Sequence, residues 1–167
     1  MAKMIKKWLA KSSNTLRIGI NLWPPFLGAG IKILSISSDF REVKVVLKLR
    51  WYNTNYVGTH FGGSMFAMTD PFYMLILIQN LGKDYIVWDK AAQIQFKKPG
   101  RGKLSATFTF SLEEIDAVKH QADNNEKYIF DRSVDIFNEQ GEVVATVTRT
   151  LYVKRKNEES LHDHTEK

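Results

Sequence analysis

The sequence predicts an α+β fold in which a curved, mostly antiparallel sheet wraps one long central helix. Three observations predict it. A segment from about Gly63 to Leu81 is apolar on nearly every side, two segments of strand character precede it, and four more follow it. A helix so apolar must be enclosed, and only a sheet curled around it can do so. At 167 residues, 44% of them hydrophobic and 25% charged, the chain suits a single domain over residues 1–156. Residues 157–167 read as a polar, disordered tail.

Taken in order, residues 4–20 carry Ile5, Trp8, Leu9, Leu16 and Ile20 at helical spacing, which predicts an extra N-terminal helix. It should stop before Pro24-Pro25, and Gly28-Ala29-Gly30 should turn the chain. Ile31–Ser37 and Val43–Trp51 read as strands joined by a hairpin at Asp39–Glu42; in the second, Val43, Val45, Leu47, Leu49 and Trp51 recur at period two. Gly82 can end the apolar helix. Tyr85–Lys97 then reads as a strand running into the Pro99-Gly100 turn. Leu104–Leu112 alternates strictly, and Glu113–Gln121 fits a short helix. Tyr128–Phe137 and Val143–Val153 form a hairpin across Asn138–Gly141.

Composition narrows the chemistry. With no cysteine, disulfides, thiolate nucleophiles and Cys-based zinc sites are excluded, as suits a cytoplasmic protein. His162-Asp163-His164 is too short a cluster to argue a metal site, so no metal is expected. No apolar core of a signal peptide precedes Pro24, and the apolar run Phe72–Ile78 is far below the ~20 residues that span a bilayer. The basic first helix could lie on a membrane, but packing against the domain is the commoner fate, so membrane contact is not expected. A formal charge of +6 favours an anionic partner. Trp51, Tyr52 and Tyr56 lie near basic residues, yet aromatic strand positions are ordinarily core, so no nucleic acid is expected.

One segment carries a motif. Asn55-Tyr-Val-Gly58-Thr-His60-Phe-Gly62-Gly63, followed by Asp70 in the apolar stretch, resembles the thioesterase signature of the hotdog-fold superfamily. With the strand order, the likeness spans roughly residues 30–154. The leading helix with Trp23-Pro24-Pro25-Phe26 and Gly28-Ala29-Gly30 resembles the DUF4442 branch, relatives of PaaI-type acyl-CoA thioesterases. The register departs at one place: with Gly62 and Gly63 aligned, Phe61 stands where the histidine usually does, and His60 is one residue early.

The resemblance implies hydrolysis of an acyl-CoA or other acyl thioester, with coenzyme A entering as part of the substrate and no other cofactor. It implies a homodimer, or a dimer of dimers, because related proteins set the acid of one subunit near the glycines of another. Asp70 would be general base or nucleophile, made more basic by desolvation in its apolar stretch. Alternatively, Thr69-Asp70-Pro71 is a helix N-cap followed by proline. Gly62 and Gly63 would offer backbone N–H groups to the carbonyl oxygen, or merely permit a tight turn. His60 would orient substrate or water, or be structural. Asn55 would hydrogen-bond across the site, or satisfy a turn. Lys97, Lys98, Arg101 and Lys103 would hold the phosphates of coenzyme A, or form a solvated loop. A binder of acyl thioesters or fatty acyl groups that keeps the fold without the chemistry is the alternative function.

Overall fold

A computed structural model describes residues 12–156. The six strands are β1 (Ile31–Ile36), β2 (Glu42–Lys48), β3 (Tyr85–Phe96), β4 (Lys103–Thr109), β5 (Tyr128–Phe137) and β6 (Val143–Arg155). They form one sheet in the order β1-β2-β4-β5-β6-β3, and every neighbouring pair is antiparallel. The helices are α1 (Ser13–Asn21), α2 (Pro24–Ala29), α3 (Gly62–Ala67), α4 (Phe72–Leu81) and α5 (Leu112–Asn124). The expected α+β order, a helix, two strands, an apolar helical segment and four more strands, is therefore observed, with α5 inserted where a short helix was anticipated.

Alternation explains the core. Val43, Val45 and Leu47 of β2, Leu104, Ala106 and Phe108 of β4, and Val147, Leu151 and Val153 of β6 face inward and are buried. Onto them packs α4 through Phe72, Tyr73, Ile76, Leu77 and Leu81. The Phe72 ring lies 6.0 Å from Phe26 of α2 and 4.9 Å from Phe108, so it ties the N-terminal helices, α4 and the sheet together. Pairing between β4 and β5 is reduced to Ser105 opposite Phe137. Side chains bridge this seam: the Tyr73 hydroxyl donates to the Ser133 carbonyl (2.8 Å), and Arg132 donates to the Thr109 carbonyl (3.0 Å) and pairs with Glu114 (2.6 Å). At the start of α5, Ser111 and Glu114 form a reciprocal capping box.

The two edges of the sheet differ. On β1, the Asn21 side chain accepts from the Ile33 N–H (2.7 Å) and donates to the Ile33 carbonyl (3.0 Å), so a helix residue stands in for a neighbouring strand. Strand β3 has no such cover among the described residues. From Lys90 to Phe96 most residues are exposed on both faces, including Ala92 and Phe96 on the side that continues the core.

The structure corrects four expectations. The long central helix is two: α3 ends at Ala67, and α4 starts at Phe72, because Pro71 lacks the N–H needed to continue the helix. Its enclosure is incomplete, since Ile78 is exposed. Pro24-Pro25 do not merely end a helix but open α2, proline being well suited to a first turn, and Gly30 alone makes the left-handed turn (φ 77°). Strand β2 ends at Lys48, and Trp51 lies in a turn, 90% exposed. Ile5, Trp8 and Leu9 of the expected first helix, and the tail from 157 to 167, lie outside the described residues.

Candidate active site

The break between α3 and α4 carries Thr69 and Asp70, which join a mostly buried polar cluster that reaches the surface at Asp70. Arg149 occupies an inward position of β6, between Val147 and Leu151, and is 2% exposed. Its Nη1 donates to Asp89 Oδ2 of β3 at 2.7 Å and to Asp70 Oδ2 at 3.1 Å, and its Nη2 donates to Thr69 Oγ1 at 3.2 Å. The Thr69 hydroxyl in turn donates to the Phe66 carbonyl (2.8 Å), and the Phe66 ring lies 5.4 Å from the guanidinium carbon. Asp70 is the outermost member: its side chain is 57% exposed, against 15% for Asp89. The desolvation expected of Asp70 therefore falls on Asp89 instead, whose carboxyl burial pushes up, with the Arg149 guanidinium partly opposing it. Asp70 does not cap α4 either; the position before that helix is Pro71, joined to Asp70 by a cis peptide, and no side chain caps it.

The glycine turn is built separately. Gly62 and Gly63 open α3, so their N–H groups precede the first intrahelical bond and meet no acceptor among the described residues. Close approach explains the glycines: a Cβ on Gly63 would fall 2.3 Å from the Phe61 ring, and one on Gly62 would fall 2.9 Å from Phe96 at the end of β3. Next to this turn lies an open cleft of about 410 Å³, lined by Gly28 and Ala29 of α2, Tyr52, Asn53, Thr54, Phe61, and Gly63, Ser64 and Ala67.

The loop leading into the turn is held by its own polar groups. The Asn55 carbonyl oxygen Oδ1 accepts from the N–H groups of Val57 and Thr59, and its Nδ2 donates to Thr59 Oγ1 and the His60 carbonyl. All its capacity is spent locally, so the turn-forming alternative for Asn55 is the one the geometry realises. His60 is buried, and its Nε2–H donates to the Gly102 carbonyl (2.9 Å) while its backbone N–H reaches Gly100. Its Nδ1 is buried without a partner among the described residues. His60 thus pins two loops together and makes no hydrogen bond to Asp70. Asn53, which the sequence did not single out, does similar work: buried, it accepts from the Arg50 N–H and donates to the carbonyls of Ala29 and Lys48.

Two expected outcomes follow. Burial holds the His60 imidazole below its ordinary value, so the folded chain favours its neutral form. The unfolded chain takes up a proton as pH falls below about 6.5, and stability is lost in that direction. The difference in unfolding free energy between the wild type and His60→Gln, whose amide can serve the same carbonyl, should vary with pH by up to ~1.4 kcal/mol per unit below that point. Above pH 7 it should be flat in denaturant titrations. Asn53→Ala strips three hydrogen bonds from a buried site and should cost about 1–3 kcal/mol by the same measurement.

Of the four basic residues, Lys98 pairs with Glu142 at 2.6 Å and Lys103 lies 4.0 Å from Glu139. Lys97 and Arg101 are exposed and have no carboxylate within salt-bridge distance among the described residues.

Comparison with known proteins settles the family. The model of the domain of unknown function DUF4442 matches residues 13–153. The chain belongs to the DUF4442 family. No curated protein matches this DUF4442 chain. Among solved structures, it is similar to a Pseudomonas aeruginosa protein of unknown function named a probable thioesterase, with TM-score 0.74 and 17% identity over 86% of this chain and 95% of that one. A Haemophilus influenzae thioesterase superposes with TM-score 0.64 and 15% identity, covering 92% of this chain and 94% of the other. The Escherichia coli PaaI protein of the phenylacetic acid degradation operon gives TM-score 0.57 and 17% identity, covering 85% and 91%. These likenesses establish the hotdog fold for the DUF4442 chain. No helix among its described residues is long and apolar enough to cross a membrane.

Proposed function

We propose that the protein hydrolyses an acyl-CoA or related acyl thioester at a site shared between two subunits. One juxtaposition carries the reading. Asp70, tied through Arg149 to Asp89 near the middle of β3, and the glycine turn, packed on Phe96 at its end, lie against one edge strand that no described residue covers. With Lys90 bulged out, positions 89 and 96 of β3 are six ladder steps, roughly 20 Å, apart at ~3.3 Å per residue. If two copies pair β3 antiparallel about a dyad at Gln93, the bulge at Lys90 lets Asp89 of one subunit stand opposite the partner's Phe96. Asp70 then approaches the partner's glycine turn, and the exposed Ala92 and Phe96 are covered.

In such a site the thioester carbonyl oxygen sits on the Gly62 and Gly63 N–H groups, which stabilise the negative charge that develops there. Asp70 takes a proton from water as the water oxygen bonds to the carbonyl carbon. The C–S bond then breaks, and the proton passes to the leaving thiolate. Asp70 acting as nucleophile is the variant of this scheme. The cleft beside Gly63 receives the acyl group, walled by Phe61, Ala67 and Ala29. Lys97 and Arg101, with no carboxylate partner among the described residues, meet the phosphates of coenzyme A better than Lys98 or Lys103 do.

A binder without turnover is the second reading, favoured by Phe61 in the histidine register and by the absence of any hydrogen bond between Asp70 and the glycine turn within one chain. Release of free thiol from short, long and aromatic acyl-CoAs separates the two. Turnover on any of them supports the hydrolase; acyl-CoA binding with no thiol released across the panel leaves the binder.

A further inference from the structure

Arg149 is the feature of this fold that packing does not account for. Its neighbours along the inward face of β6 are Val147, Leu151 and Val153, and an apolar side chain of similar length would fill the position without removing a charge from water. Its contacts are arranged by depth. Asp89, nearly buried, holds Nη1 from the sheet side at 2.7 Å, and the Thr69 hydroxyl holds Nη2, so the guanidinium plane is fixed before Asp70 is reached. From that plane a bond of 3.1 Å extends outward to a single oxygen, Oδ2 of Asp70. The other carboxylate oxygen of Asp70 accepts no hydrogen bond among the described residues, and the side chain is mostly exposed.

We propose that Arg149, clamped by Asp89, is the positioning residue of the site: it fixes Oδ2 of Asp70 so that Oδ1 is presented to the water or carbonyl carbon. The inference rests on the reading of Asp70 as the acid of an acyl thioesterase. A guanidinium suits the task because its planar fork sets a direction, whereas a lysine ammonium supplies charge without one. Asp89 acts one step further back, offsetting the buried charge and setting the angle of the fork. Asp70 and Asp89 share Nη1, so loss of Asp89 leaves the arginine free to turn away from Asp70.

The test measures kcat and KM on an acyl-CoA that the wild type hydrolyses, for Arg149→Lys, the double variant Arg149→Met/Asp89→Asn, and Asp70→Asn, with thermal melts of each. The double variant removes both charges together, so no uncompensated buried ion remains to unfold it. The expected result is a fall in kcat of roughly 10- to 100-fold in both arginine variants with KM within about twofold. Adding Asp70→Asn to the double variant should then make it no slower than Asp70→Asn alone, because the residues act as one unit. A folded double variant with wild-type kcat overturns the inference, and a lowered melting temperature at unchanged kcat marks a purely structural pair. Should both arginine variants fail to fold, the isosteric Asp89→Asn carries the same test: reduced kcat at unchanged KM supports positioning, and wild-type kcat overturns it. Loss of turnover in Asp70→Asn with none in the arginine or Asp89 variants defeats the positioning role alone. A wild type that releases no thiol defeats the thioesterase reading and this inference with it.

Discussion

Replacing Asp70 with asparagine is expected to lower kcat for acyl-thioester hydrolysis by about 10²–10⁴-fold, the usual contribution of a general base. The substitution is nearly isosteric, and the amide oxygen can still accept from Arg149 Nη1, where Oδ2 now lies at 3.1 Å. The side chain is mostly exposed, so no core contact is lost and the melting temperature should stay within a few degrees of the wild type. Thiol-release kinetics on the best substrate, beside a thermal melt, make the comparison. A folded Asp70→Asn with undiminished kcat would remove Asp70 from the chemistry and return the site to the glycine turn alone.

The second large effect concerns stability. Phe72→Ala should cost about 3–5 kcal/mol, the range for emptying an aromatic core site. Phe72 is fully buried, and its ring touches Phe26 of α2 and Phe108 of β4, so the cavity would open where three elements meet. Because it is also the first residue of α4, directly after the Asp70–Pro71 break, its loss loosens the segment that presents Asp70. Denaturant unfolding of wild type and variant measures the cost, and a loss below about 1 kcal/mol would mean that the three elements repack without it. In a chain of this size the expected loss lowers the melting temperature by roughly 10 °C.

The sequence carried the strands well because their signal is local. Leu104, Ala106, Phe108 and Phe110 alternate with polar residues, and all four prove buried. The helical break was hidden for the opposite reason: Met65 to Ile78 is so apolar that periodicity offered no sign of an interruption, and Pro71 could be read as the first turn of a helix. His60 and Asn53 take their roles from carbonyls of Gly102 and Ala29, contacts that no local pattern encodes. Arg149, by contrast, left a signal that sequence reasoning missed. It sits in register with Val147 and Leu151, and a charge on the core face of a strand demands a carboxylate partner. The residues that hold Asp70 were not singled out; Gly62 and Gly63 do open a helix, and the hydrogen bonds of His60 and Asn55 go to the surrounding loops.

The most direct test of the shared site is a crystal structure with an S-(2-oxoalkyl)-coenzyme A, a thioether whose ketone stands in for the thioester carbonyl but has no scissile C–S bond beside it. The account predicts the ketone oxygen on the Gly62 and Gly63 N–H groups of one subunit, the Asp70 carboxylate of the other subunit near the ketone carbon, and paired β3 edges between them. A ligand seated away from the glycine turn, or a β3 edge left unpaired with Asp70 remote from the ketone, would contradict it.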